Sequence, residues 1–259
     1  MRTDKTDLPF HIQEVRQAML KATDYNTIVN TLYEGKGVYP TFPCPPLPDL
    51  ADNVLLLKDA SAAIQDLYKY DTTKAKAMLK EAGYPNGFTA TVLTQNDTTS
   101  VDYLSVIKDQ WAKVGITLNI SQLEFGVFMN RWVSRDYDEL FYGIMASPGT
   151  FRTMVSSQGS GGGYNLSYIV DDRLANGITD MLTAFNAGDD EKVATIHKGL
   201  CEIIYEEAYA ISTPAQDSTT FWWPWLKNYH GEVAVGILNG FHYTKWLWVD
   251  QSLKKSMGK

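Results

Sequence analysis

The sequence is poor in the residues that usually carry chemistry. Its 259 residues include 2 cysteines and 4 histidines. Cys44 sits in a proline-rich loop and Cys201 on the apolar face of a predicted helix, so two free thiols are expected rather than a disulfide framework. So low a cysteine count fits a cytosol or a bacterial exterior. His11, His197, His230 and His242 stand at none of the spacings that pair histidines into a metal site. The glycine-rich run "SQGSGGGYN" lacks the Lys-Ser/Thr of a phosphate loop, and no GxGxxG leads from a strand into a helix. Ser160 lies outside any G-x-S-x-G elbow. No metal, cofactor or catalytic set is therefore expected. No apolar run reaches the ~18 residues of a membrane-spanning helix. "MRTDKTDLPF" has neither the charged nor the apolar region of a signal peptide. Positive charge is in deficit: the net charge of −7 argues against nucleic acid or an anionic membrane surface as the partner.

What is present is structural punctuation. Hydrophobic residues make up 44% and charged residues 20%, the balance of a globular chain with one large or two small domains. In "YDTTKAKAMLKEAGYPNGF", residues 70–88, Asp71 is placed as an N-cap. Ala75, Met78, Leu79 and Ala82 form an apolar stripe, with Lys74, Lys76 and Lys80 toward water. Gly83 is placed to end the helix, Pro85 prevents its continuation, and "PNG" turns the chain into a strand. Phe88, Ala90 and Val92 alternate with threonines; Leu104, Ile107, Trp111 and Val114 keep helical spacing; "ITLNI" at 116–120 alternates again. This is a βαβ unit. It predicts strands 88–93 and 116–120 parallel in one sheet, with a right-handed crossover.

Upstream, Ile12, Val15, Met19 and Ala22 mark one helix. Asp24 caps a second with Ile28, Val29 and Leu32 on its apolar face, and Gly35 and Gly37 stop it. Five prolines between Pro40 and Pro48 spell a surface loop. "ELFYGIMA" at 139–146 suits a strand covered on both faces. Leu174, Ile178, Leu182 and Phe185 predict one helix, and Val193, Ile196, Leu200 and Ile203 the next. Asp171, Asp172, Asp189, Asp190 and Glu191 fall at their starts, where they complement the helix dipole. "YAIST" at 209–213 reads as a short strand. The tail holds Trp222, Trp223, Trp225, Trp246 and Trp248, and "FWWPW" offers either a stacking platform or packing. No internal repeat is visible.

Taken together, these segments resemble family 5 of the extracellular solute-binding proteins, the oligopeptide, dipeptide and nickel group. The stretch 70–88 is similar to that family's signature. "LPFHIQEVRQAMLKATDYNTIVNTLYEGKG" resembles its PF-x-D-x-R-V-R-x-A helix and the A-x-D-R-x-x-I-V helix that follows, and "PTFPCPP" fits the next loop. "IKDQWAKVGITLNISQLE", "RDYDELFYG" and "WWPWLKNY" resemble its VGI segment, its R-x-Y-D strand and its late PWV-x-x-Y. The order and spacing agree over nearly the whole chain.

The resemblance implies an α/β fold: one lobe of a type II periplasmic binding protein, a mixed, mainly parallel sheet flanked by helices. Residues 8–218 would be the second of two lobes, and 219–259 a tail that returns to the first. It implies a truncated, extracytoplasmic solute-binding component of an ABC importer, with its export signal outside this sequence. Its partners would be a peptide-like or other small solute, the permease subunits and the first lobe, with self-association through residues 219–259. Ligand contacts would come from Gly143, Ile144, Met145, Ala146 and Ser147, and from Tyr164 and Asn165 on the loop beyond. Peptide-binding members carry an aromatic residue and an aspartate just after the equivalent glycine. Here Ile144 and Ser147 stand in their places, and a serine cannot make the charge-assisted bond that an α-ammonium group needs. The rival functions are a hydrolase acting on a peptide or glycoside, and a sensor module on the same fold.

Overall fold

The computed structural model describes residues 1–45, 52–143, 154, 163, 165–216, 219–231 and 242–259. The chain divides into two compact units, Met1–Gln216 and Asp217–Lys259.

The first unit is built on a three-stranded parallel sheet. Strands β2 (Phe88–Gln95) and β3 (Ile116–Leu123) pair in register from Phe88↔Ile116 to Gln95↔Leu123, as the alternating pattern predicts. Helix α5 (Thr98–Ala112) crosses between them, capped by Asp97, whose carboxylate accepts from Ser100 N at 2.9 Å. Helix α6 (Phe125–Ser134) leads on to β4 (Leu140–Phe141), which pairs parallel with the other side of β2. The strand order is β3-β2-β4. The strand expected over 139–146 is thus two residues long within the described part. At Glu139 a side chain intervenes: its Oε2 accepts from Thr91 N on β2, while its carbonyl accepts from Arg2 N. The regular ladder therefore begins only at Leu140.

One face of the sheet and the helices on it form the first core. Ala90, Val92, Ile116 and Leu118 meet Leu104, Ile107 and Trp111 of α5, Val15, Ala18 and Met19 of α1 (Gln13–Lys21), and Ala75 and Leu79 of α4 (Thr72–Glu81). Asp71 caps α4 through Lys74 N. At the other end of α4, Gly83 N reaches Lys80 O and Tyr84 N reaches Leu79 O, the paired bonds of a Schellman stop. Asp24 caps α2 (Tyr25–Leu32) through Thr27 N, also as expected. Gly87 follows at φ +71, and a Cβ there would lie 1.9 Å from Gly115 O. Only glycine permits this backbone contact between the starts of β2 and β3.

A second core is helical. It joins α3 (Ala62–Leu67), α7 (Asp172–Asn186) and α8 (Asp190–Glu207), with Leu20 and Tyr25 entering from the first layer. Asp171 and Asp189 cap α7 and α8. The buried faces are rotated from those the apolar residues alone suggest. Met181 and Ala184 are buried on α7, leaving Phe185 exposed; His197, Cys201, Ile204 and Tyr205 are buried on α8. Packing from two sides decides which stripe turns inward.

The 209–213 segment is not a strand. Thr41 N donates to Ser212 Oγ at 3.3 Å and Thr41 Oγ1 to Thr213 O at 2.6 Å, so side chains replace a ladder here. Pairing begins only at β5 (Ala215–Gln216), antiparallel to β1 (Gly37–Val38).

The second unit holds the antiparallel pair β6 (Leu226–Lys227) and β7 (Trp248–Val249), then helix α9 (Gln251–Ser256). Trp223 and Trp225 stack with centroids 4.5 Å apart. Trp225 is buried, whereas Phe221, Trp222, Trp223, Trp246 and Trp248 are exposed.

Two stability effects follow. Gly87→Ala should cost more than about 1 kcal/mol in denaturant unfolding, because both the positive φ and the Gly115 contact oppose a side chain. The Asp66 carboxylate sits 2.7 Å from Lys74 Nζ and 3.2 Å from Lys21 Nζ; hydrogen bonds from Lys74 and Lys21 hold its pKa down at about 2. A lowered folded pKa stabilises above the ordinary carboxylate value of about 3.9 and is lost as pH falls through the folded value. Asp66→Asn should therefore be less stable than the parent at neutral pH and converge with it near pH 2, read from melting temperatures across that range.

Candidate functional site at the carboxyl edge of the sheet

The three strands deliver their carboxyl ends, Gln95, Leu123 and Phe141, to one edge. Two further bonds extend it: Asn96 N to Leu123 O at 2.8 Å and Tyr142 N to Leu93 O at 2.9 Å. Open α/β sheets bind ligands at this edge, because strands end there and helices begin. Both helices that begin here are already capped by the chain's own carboxylates. Asp97 serves α5, and Glu124 Oε2 accepts from Gly126 N at 2.8 Å and Val127 N at 3.3 Å on α6. Among the described residues, neither helix N-terminus at this edge is left bare for an anionic group.

Gly143 is exposed at the end of β4. A Cβ on it would stand 3.0 Å from Phe128 Cζ and 3.3 Å from Phe141 Cε1. Those two rings stack at 5.0 Å, so a glycine lets the backbone lie against them. Phe125 is three residues before Phe128 and therefore on the same side of α6, one turn nearer the edge. It is 58% exposed, an aromatic surface one turn before the ring that meets Gly143.

Behind this rim, Tyr142 stacks on Tyr103 at 5.2 Å, and Thr213 Oγ1 donates to the Tyr142 hydroxyl at 3.3 Å. Burial pushes Tyr142 up to about 12 and Tyr103 well above the usual phenol range. Thr94 Oγ1, at the end of β2, is buried with no hydrogen-bond partner among the described residues. The edge therefore offers aromatic faces, neutral hydroxyls and bare backbone, which suit holding a molecule more than cleaving one. The two thiols lie elsewhere, in or beside the helical core, and burial raises Cys44 to about 11 and Cys201 to about 12, so both stay protonated at neutral pH. Among the described residues, no group of three or more His, Cys, Asp or Glu could hold a metal ion.

Of the residues expected to touch a ligand, Gly143 is at this edge. Ile144, Met145, Ala146, Ser147 and Tyr164 lie outside the described residues. Asn165 is buried, and its amide is already spent: Nδ2 donates to Ile169 O and Oδ1 accepts from Ile169 N, each at 2.9 Å. That side chain holds the 165–169 turn. Phe125 was not among the expected contacts, although "EFGVFMNRW" carries its signal: a capping glutamate followed by Phe125, Phe128 and Trp132 at helical spacing.

A parallel sheet flanked by helices, open at its carboxyl edge, is the fold of a lobe of a type II periplasmic binding protein. Solved structures share it. The ABC transporter-associated periplasmic binding protein DppA from Helicobacter pylori, in complex with the peptide STSA, matches at a TM-score of 0.66 and 25% identity, over 81% of this chain and 39% of that one. HbpA2 from Haemophilus parasuis matches at 0.65 and 25%, over 83% and 41%.

The family model "Bacterial extracellular solute-binding proteins, family 5 Middle" matches residues 1–165, and the chain belongs to that family. Curated relatives include heme-binding protein A of Haemophilus influenzae, 33% identical over 48% of this chain and 22% of its own length. The dipeptide-binding protein of Pseudomonas aeruginosa is 27% identical over 87% of this chain and 41% of its own. The chain thus spans well under half the length of these relatives. They are named as binding proteins, not enzymes. No helix among the described residues is long and apolar enough to cross a membrane.

Proposed function

We propose that this chain supplies the ligand-binding lobe of the extracytoplasmic solute-binding component of an ABC importer. Residues 8–218 are the second lobe and residues 219–259 the segment that returns to the first. The work is closure of two lobes on a peptide-like or other small solute, followed by delivery to a membrane permease, and not turnover. What carries the proposal is the edge at Gly143, where the ends of three parallel strands, a glycine packed on Phe128 and the exposed Phe125 converge.

The solute need not present a free α-ammonium group. By the family resemblance Ser147 takes the place of an aspartate, and a hydroxyl gives only a neutral hydrogen bond. Calorimetry of the full-length protein with paired free and N-acetylated di- and oligopeptides should show little difference within each pair. Phe125→Ala should weaken the solutes that do bind. Tight binding that collapses on acetylation and depends on Ser147 would contradict the first expectation; undiminished binding by Phe125→Ala would remove that residue from the site.

The tail leaves Phe221, Trp223, Trp246 and Trp248 each more than half exposed. Burying such side chains contributes roughly 1.5–3 kcal/mol each, so an apolar cover is favoured. Where the first lobe does not supply it, a second copy of the chain does. Light scattering should show association of the 259-residue chain that disappears when it ends near Gln216. A monomer whose tail tryptophans are freely quenched from solvent would rule this out.

A further inference from the structure

An open cleft of about 620 Å³ lies at the first turn of α2. Asp24 marks its place: its backbone N donates to Gln110 Oε1 at 2.8 Å, in the last turn of α5, which feeds the start of β3. The first turn of α2, the Tyr39 segment, Gln65 of α3 and residues 68–70 make the walls.

Tyrosine dominates those walls. Tyr25 and Tyr39 stack with centroids 4.6 Å apart and an angle of 15°, and Tyr68 lies against the far side of Tyr25 at 6.0 Å. Tyr25 and Tyr68 are buried, Tyr39 is half-buried and Tyr70 is exposed. Packed rings hold the outer ones in place, which lowers the cost of ordering them around a ligand.

The polar groups are then sorted by what they have left. Both oxygens of the Asp24 carboxylate are used, by Thr27 N at 2.9 Å and Thr27 Oγ1 at 2.7 Å. Asn26 Oδ1 accepts from the Tyr39 hydroxyl at 3.0 Å, so Asn26 offers the cleft its Nδ2 donor. Gln65 is the reverse: Nε2 donates to Lys58 O at 3.1 Å and Ala60 O at 2.9 Å, leaving Oε1 to accept. Asn30 has no side-chain hydrogen bond among the described residues and offers both a donor and an acceptor. Flat aromatic surface beside neutral groups of both hydrogen-bonding senses matches a ring with an apolar face and a rim of hydroxyls, each of which both donates and accepts.

We propose that this cleft is a second ligand site, for a neutral saccharide, separate from the solute-binding edge and independent of the importer assignment. Maltose and N,N′-diacetylchitobiose are suitable probes, titrated into the full chain and followed by amide NMR, with inorganic phosphate as the comparator because Lys58 and Lys69 stand at the rim. One of the disaccharides should shift the side-chain amides of Asn26, Asn30 and Gln65, and leave Phe125 and Tyr142 unmoved. Tyr70→Ala should weaken that binding about tenfold, the effect of losing one stacking ring. Asn30→Ala, an exposed position, should weaken it without changing the melting temperature and so serves if Tyr70→Ala disturbs folding. The proposal is overturned if neither disaccharide shifts these amides at millimolar concentration, if only phosphate does, if the shifts appear at the carboxyl edge instead, or if Asn30→Ala binds as well as the parent.

Discussion

The first unit depends on how α1 closes the ends of other helices. The last carbonyls of a helix have no partner within it. At the end of α8 they are met by α1: Arg16 Nε donates to Glu207 O at 2.9 Å and Gln17 Nε2 to Glu206 O at 2.7 Å. The Arg16 guanidinium is buried and spends its other donors on Phe10 O, His11 O and the Glu207 carboxylate. The effect reaches further, because Glu207 also accepts from Arg173, which grips the α7 cap Asp171. One turn along α1, Lys21 does the same for α3. Its buried ammonium donates to Asp66 O at 2.6 Å and Lys69 O at 3.3 Å.

Such buried charges are poor evidence of net stabilisation, since desolvation offsets much of the Coulomb gain. Removing one partner is another matter and costs about 3–5 kcal/mol, because the other charge is left stranded. What the network contributes is geometry. It sets α1 between two hydrophobic cores, with Val15, Ala18 and Met19 turned to the sheet and Leu20 to α3, α7 and α8. A helix pinned at both its cations cannot slide, so the sheet packed on it keeps its place.

That rigidity is what the carboxyl edge needs. The edge itself has few strong interactions: a stack of Phe128 on Phe141, a glycine against them, and tyrosines held by burial. A site of this kind gains affinity from being formed before the solute arrives, not from a few dominant charges. In the proposed role, its carboxylate-capped helices and protonated phenols keep ionic chemistry away from the bound molecule.

Much of the first unit was legible in the sequence wherever the signal was local. Asp24, Asp71, Asp171 and Asp189 cap the helices they precede, Gly83 stops α4, and strands 88–93 and 116–120 pair in parallel. Caps, turns and alternation act over a few residues, and each can be satisfied without knowing what lies across the fold. Distant partners are less readable. Local pattern does not show that Glu139 meets Thr91 N through its side chain before the β4 ladder begins, nor the Ser212 and Thr213 contacts at 209–213, which is not a strand. Apolar spacing on α7 and α8 could not say that His197 and Cys201 face inward while Phe185 does not, because that follows from which neighbours arrive on each side. For the site, sequence placed Gly143 through its strand, but Phe125 became visible only when α6 was laid beside β4, and Asn165 showed its amide already bonded within its own turn. Local hydrogen bonding is written in neighbouring residues; burial and convergence are properties of the packed chain, and only tertiary structure decides them.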